Sequence, residues 1–355
     1  MRRTIHHRQG EAMGDRLGKS RVQWIDLAKG MTMLLVIAGH SVFGGLRRVI
    51  FSFHMPLFFI LSGLTYRCST DERQLWQRCK KAAVHLLVPA AILIGTDILV
   101  EIIQMLLDGR ASEMDGAYWT VKALTLVFSS GSRFFLGDMY IGRVGIPWFL
   151  IALFFGRTLF DLIQLKLRRW ATPVCIALTV VGVVVGQWQW LPLSFDVVLA
   201  SLFFLLLGNL LHRADMRPGA LWKAVVAGMV WIGCVFLTWM LDGRYLEMAA
   251  RSYELFPLCY LTAVAGTLMV CWISVFLEEH LAALVRPFVY IGKHSLELMC
   301  VHTLDHLWEG LYQGVSSNLV VTACVRVVVD LLVFMAYMVV KGRIGAAREN
   351  KRSTV

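Results

Sequence analysis

RVQWIDLAKGMTMLLVIAGHSVFGGLRRVIFSFHMPLFFILSGLTY, residues 21 to 66, holds two apolar segments that each approach the length of a membrane span. Hydrocarbon should reject four of its side chains: Asp26, Lys29 and His40 in the first segment, and His54 in the second. An ionisable group inside a span is costly and marks a functional site by default. The separation of Lys29 from His40 is close to three helical turns, which puts them on one face roughly 16 Å apart along the axis. Asp26, one turn before Lys29, lies on the same side at the i, i+3 spacing of an ion pair. A polar stripe therefore leads from the end of a helix to a histidine within it. A neutral imidazole there can take a proton from a hydroxyl near pH 7; the alternative is a histidine satisfied by hydrogen bonds between helices. Lys29, with Arg21 before it, offers positive charge to the phosphates of a nucleotide-like donor. Anchoring at the membrane interface is its plainer role. His54 precedes Pro56, which lacks the N–H to continue a helix; a kink is expected there, with His54 either lining a cavity beside it or hydrogen-bonding the backbone that Pro56 frees.

The rest of the chain extends this pattern. Of 355 residues, 57% are hydrophobic and only 17% charged, far more apolar than a soluble domain of this size needs. Hydropathy predicts an all-α, polytopic membrane protein with about ten transmembrane helices. They fall near 25–43, 50–66, 82–107, 146–165, 171–187, 193–211, 221–241, 256–277, 287–304 and 318–340. The net charge of +11 is spread beside apolar segments instead of gathered on one domain, which argues against nucleic acid and for topology and anionic lipid. With the N-terminus in the cytoplasm, Arg67, Arg73, Arg78, Lys80 and Lys81 share one inner loop, and Lys166, Arg168 and Arg169 the next. Arg213, Arg217 and Lys223 occupy a third, and Lys341, Arg343, Arg348, Lys351 and Arg352 an inner C-terminal tail. Outer loops are poorer in Lys and Arg, as the positive-inside rule requires. Both termini are expected in the cytoplasm. Residues 1–20 read as a disordered basic tail, 21–340 as one membrane domain, and 341–355 as a second basic tail. No signal peptide is expected, because the first apolar segment lacks a small-residue cleavage site. The eight cysteines are scattered without a Cys-x-x-Cys pair, so neither a disulfide framework nor a metal site is expected.

Further candidates lie along the later spans. Trp148 follows Pro147 and suits either a sugar-stacking surface or an interfacial aromatic belt. Asp196 opens the sixth span, where a carboxylate stabilises a helix N-terminus; binding of an acceptor is its functional alternative. His294, Ser295, Glu297 and His302 crowd the ninth segment. Residues on one helix rarely meet in triad geometry and nothing resembles a nucleophile elbow, so His302 and Glu297 are read as substrate-facing rather than nucleophilic partners. Arg157, Asp161 and Arg326 fall in or near spans and can pair across helices. The connection 108–145 is the longest; Trp119–Ser130 within it has the composition of an interfacial or re-entrant helix, and residues 131–145, with Arg133, Asp138, Tyr140 and Arg143, suit either a sugar-facing surface or an ordinary solvated loop. Neither HxxxD, GxGxxG nor a Walker pattern occurs.

Several of these stretches together resemble the acyltransferase-3 membrane proteins, and more closely their fucose 4-O-acetylase-like branch. They are Lys29 with ten spacers to His40, FSFHMPLFFILSG (Phe51 to Gly63), PWFLIALFF (Pro147 to Phe155), LPLSFDVVLASLFFLLLGNLL (Leu191 to Leu211) and IGKHSLELMCVHTL (Ile291 to Leu304). Lys29 departs from the arginine found in many members, which weakens a bidentate phosphate grip. The resemblance implies an O-acyltransferase of the inner or plasma membrane. It would move an acyl group, acetyl foremost, from acetyl-CoA to a hydroxyl of a cell-envelope or exported glycan, lipid-linked or polymeric. His40 and Asp26 would then be catalytic, Lys29 and Arg21 would hold the donor, and His54, Trp148, Asp196, Glu297 and His302 would face the acceptor. Two alternatives are a transporter of a small polar solute such as serine, whose membrane part looks similar in certain resistance racemases, and a non-catalytic partner in envelope-polymer assembly.

Overall fold

The computed structural model describes residues 22–353 apart from 213, 215, 217, 218 and 245, with side chains as far as residue 346. Arg21, the tail 1–20, Arg213 and Arg217 thus lie outside the described residues. The fold is all-α. Helix α1 (Gln23–Gly39) is followed by α2 (Gly44–Phe51), α3 (His54–Leu64) and the long α4 (Glu72–Leu107). A short α5 (Gly116–Phe128) leads to a two-stranded antiparallel hairpin, β1 (Phe134–Leu136) and β2 (Met139–Ile141). Then come α6 (Trp148–Leu167), α7 (Ala171–Trp188), α8 (Phe195–Leu211), α9 (Ala220–Met240), α10 (Leu258–His280), α11 (Ala282–Lys293), α12 (Ser295–Thr303) and α13 (Leu319–Ser353).

Among the described residues, seven helical segments are long and apolar enough to cross a membrane, against the ten or so expected. The difference has identifiable causes. Helix α1 stops after 17 residues, and the segment expected at 287–304 is interrupted at His294 between α11 and α12. One of the seven stretches, Trp148–Trp188, contains both α6 and α7, which meet at Arg168 with φ +32°. The break before α3 also differs from expectation: it falls at Ser52–Phe53, ahead of His54, and Pro56 sits within the first turn of the new helix. Proline is tolerated there because first-turn N–H groups lack intrahelical partners. The last helix runs unbroken from its apolar part through residue 353.

Helix α1 is central, packed against α2, α3, α10, α11, α12 and α13. Its tightest neighbour is α11. A Cβ on Gly30 would overlap the Phe288 carbonyl, and one on Gly292 would overlap the Asp26 carbonyl. The pair α3 and α8 repeats the device, with Gly63 against Leu205 and Gly208 against Ile60. Helices in lipid gain no hydrophobic drive from association, so close backbone approach between small residues supplies the van der Waals contact instead. The long α4 and α13 form the flanks, with mostly exposed apolar faces.

Candidate functional site

Residues 29, 33, 36 and 40 recur at intervals of four, three and four, one stripe of a 3.6-residue helix. Lys29, Met33, Val36 and His40 all line one cavity of about 880 Å³, within the range of small-molecule sites. The shared face expected for Lys29 and His40 is therefore real and open. His40 does not stand mid-helix, however. Helix α1 ends at Gly39, His40 is its C-cap, and its backbone N–H closes the last turn on the Val36 and Ile37 carbonyls. Its side chain is exposed, and the space it faces is the cavity.

Around His40 the cavity gathers two more imidazoles. His54, at the start of α3, is buried, with Nδ1 3.3 Å from the Phe51 carbonyl oxygen. Phe51 lies between the two, its ring 4.4 Å from that of His54 and 5.4 Å from that of His40. His302, near the end of α12, has its ring 5.2 Å from that of His40 and is fully buried. Its Nδ1 is 3.0 Å from Asp330 Oδ2 on α13 and 3.0 Å from Asp305 Oδ2. A carboxylate can only accept, so Nδ1 carries a proton and donates. The other ring atom, Nε2, is buried without a hydrogen-bond partner and is the one left to exchange a proton.

The carboxylates that fix His302 are themselves fixed. Trp308 Nε1 donates to Asp330 Oδ1 over 3.0 Å. Arg326 donates to Asp305 Oδ2 through Nε (2.7 Å) and Nη2 (2.5 Å), and through Nη1 to Ser41 Oγ (3.1 Å) next to His40. Burial alone would raise the Asp305 carboxyl, but the hydrogen bond from His302 and the Arg326 charge outweigh it and hold it below its ordinary value. Burial pushes the neighbouring Tyr312 hydroxyl up to about 12. His302, Asp305 and Asp330 stand close enough to hold a cation. Both oxygens of Asp330 and Oδ2 of Asp305 already accept hydrogen bonds from the His302 ring, Trp308 and Arg326.

The other expected residues divide. Trp148, at the start of α6, lines the cavity wall with Gly131 packed against its indole, where a Cβ would collide. Asp26 is 3% exposed and is not among the cavity-lining residues; its backbone forms the α1–α11 contact. Asp196 is also buried away from the lining: Arg251 Nε donates to it over 2.7 Å, the pair being 1% and 0% exposed. Arg251 is held further by Ser130, Ser194 and the Trp190 ring. Glu297 turns to Lys341 (2.7 Å) and His294 (3.5 Å) instead of His302, and it too is absent from the lining.

Asp161 and Arg326, which the sequence leaves without partners, acquire them. Asp161 accepts from the Tyr66 hydroxyl and from Ser69, tying the end of α3 to α6. Arg157 and His85 line the same cavity as Lys29. Arg47, Glu247 and Asp97 are lining residues that sequence reasoning did not single out. Asp330 was equally overlooked, although a lone carboxylate in the apolar run 319–340 is the signal that could have found it. Of the long connection, α5 takes the place of the expected interfacial helix, and Arg143, Ser132 and Gly131 reach the cavity. Asp138 and Tyr140 stay exposed on the hairpin.

A family model described as an acyltransferase domain matches residues 22–340, which include all of α1–α12 and the apolar part of α13. No curated protein and no solved structure matches the chain.

Proposed function

Because this chain belongs to that acyltransferase family, we propose that it transfers an acetyl group from acetyl-CoA to a hydroxyl of a cell-envelope or exported glycan, in the manner of its fucose 4-O-acetylase-like branch. The observation that supports this reading is one cavity lined both by the cations Lys29 and Arg157 and by the neighbouring rings of His40 and His302. Lys29, with Arg157 lining the same cavity and Arg21 before it in the chain, attracts the donor phosphates. His40 takes the proton of the acceptor hydroxyl as its oxygen attacks the thioester carbonyl. The carbon–sulfur bond breaks, and the departing thiolate regains that proton from the imidazolium. His302, locked by Asp330, holds its Nε2 towards this space as the second proton-exchanging ring. Asp26 acts as a positioning residue for the α1 stripe, and His54 and Trp148 line the acceptor side.

In this reading the protein sits in the inner or plasma membrane with both termini cytoplasmic. Helix α1 and the α11–α12 pair are read as additional crossings, and α6 and α7 as two, which brings the total to about ten. The test is to supply radiolabelled acetyl-CoA to inverted vesicles that contain the protein and to follow label into lipid-linked and polymeric glycan. Label above that of vesicles carrying His40→Ala is expected. Equal label in the two preparations would overturn the reading.

A further inference from the structure

A second space adjoins the first. It is a groove of about 730 Å³ between α2 and α9, with apolar walls that include Trp231, Ile232 and Phe236 and with Arg47 and Arg48 on the α2 side. Phe43 and Arg47 line both the groove and the histidine cavity. Between them, Gly44 and Gly45 leave the rim without side chains, and a Cβ at either would meet nothing within 4 Å. Gly44 has φ +65°, a conformation that favours glycine.

The charges on this groove are poorly matched by the protein. Among the described residues no carboxylate lies within ion-pair distance of Arg48. Arg47 has only Glu247, at 3.6 Å, and its buried Nε lacks a hydrogen-bond partner. Two adjacent guanidinium groups beside an apolar trough call for an anion attached to a hydrocarbon chain, because hydrocarbon fills the trough while phosphate oxygens accept from both cations. A free polymeric glycan would leave the trough empty.

We infer that this groove seats the lipid anchor of the acceptor: a polyisoprenyl phosphate whose chain lies between α2 and α9, whose phosphate rests on Arg47 and Arg48, and whose sugar passes over Gly44 and Gly45 to His40. The inference rests on the acyl-transfer reading for its last step alone. Arg47 stacks 4.8 Å above the Phe51 ring, and that ring is 5.4 Å from His40. The sugar nearest the phosphate, and not a distant residue of a polymer, therefore falls beside the base.

The test uses the purified full chain in nanodiscs and a photoactivatable polyisoprenyl phosphate with a diazirine in its chain. Cross-links are mapped by mass spectrometry, and unlabelled polyisoprenyl phosphate, polyisoprenol and phosphatidylglycerol serve as competitors. Labelling is expected within residues 43–49 and 231–239 and should be displaced by the polyisoprenyl phosphate alone. The double variant Arg47→Gln, Arg48→Gln should reduce labelling at least about tenfold, the factor that loss of a charged hydrogen bond implies. Val235→Trp, which fills the trough and leaves both guanidinium charges in the chain, should reduce it as well. Equal displacement by phosphatidylglycerol or polyisoprenol would make the groove a site for ordinary membrane lipid and overturn the inference, as would labelling unchanged in both variants. His40→Ala should label like wild type. Labelling without acetyl transfer would leave the anchor site standing and sink the proposed reaction; transfer without labelling would do the reverse.

Discussion

Removal of the His40 ring, by alanine or by glutamine, should abolish acetyl transfer while leaving the protein folded and inserted. General-base catalysis typically contributes about 10²–10⁴-fold, so kcat should fall by at least that factor, and glutamine, which cannot take up the proton, should not restore it. Turnover of the purified variants in lipid, with thermal stability beside wild type, measures this; near-normal turnover in either would return His40 to a packing role. Asp330→Asn tests the neighbouring ring. Asparagine keeps the volume but can no longer act as an anionic acceptor for His302 Nδ1. If Asp330 positions the site, kcat should fall at least about tenfold with KM for acetyl-CoA unchanged, and Asp330→Glu should recover part of the loss. A change confined to Tm would mean that the buried pair is structural only. At the other end of the α1 stripe, Lys29→Ala should raise KM for acetyl-CoA, and Lys29→Arg should retain most of the affinity, because a guanidinium keeps the charge and adds a bidentate grip. Equal KM in the alanine variant would assign Lys29 to interface anchoring.

Helices carry a different kind of constraint. The α1–α11 contact depends on the missing side chains of Gly30 and Gly292, since a methyl group at either would enter a backbone carbonyl of the partner helix. Overpacking of this kind typically costs about 1–3 kcal/mol. Gly292→Ala should therefore lower Tm in detergent, and it should also reduce turnover, because displacement of α11 shifts α12 and with it His302. The control is Gly342→Ala, where a Cβ meets nothing within 4 Å and Tm should not fall. If the two substitutions behave alike, the helices are less closely coupled than their backbones imply. The same logic explains why α1, which is not among the longest helices, sits at the centre with α11 packed closely against it: small residues permit an approach that larger side chains prevent.

For the molecule as a whole, the distribution of Lys and Arg predicts orientation. Reporter fusions at residues 70 and 355 should read cytoplasmic, and one near residue 190 external. An external C-terminus would require an odd number of crossings and would undo the ten-span assignment.

The sequence by itself determined the all-α membrane character, because runs of apolar residues of that length have no soluble alternative. It also determined the α1 stripe from Lys29 to His40, since helical periodicity is a local property. What surrounds that stripe was decided by tertiary structure alone. Asp330 and Asp305 reach His302 from a different helix and a connecting segment, and Arg326 bridges Asp305 to Ser41 across most of the chain. No local spacing encodes such meetings. Asp196 and Glu297 show the converse: each is an intramembrane or near-membrane carboxylate with the signature of a site, and each is turned to a cation instead of the cavity. Burial of a charge requires a partner, and whether that partner is a substrate or an arginine depends on which helices pack together. The end of α1 at Gly39 was likewise beyond the hydropathy pattern, which runs on through Val42 and Phe43, because the break is set by the left-handed turn at Gly44 and by where α2 must pack.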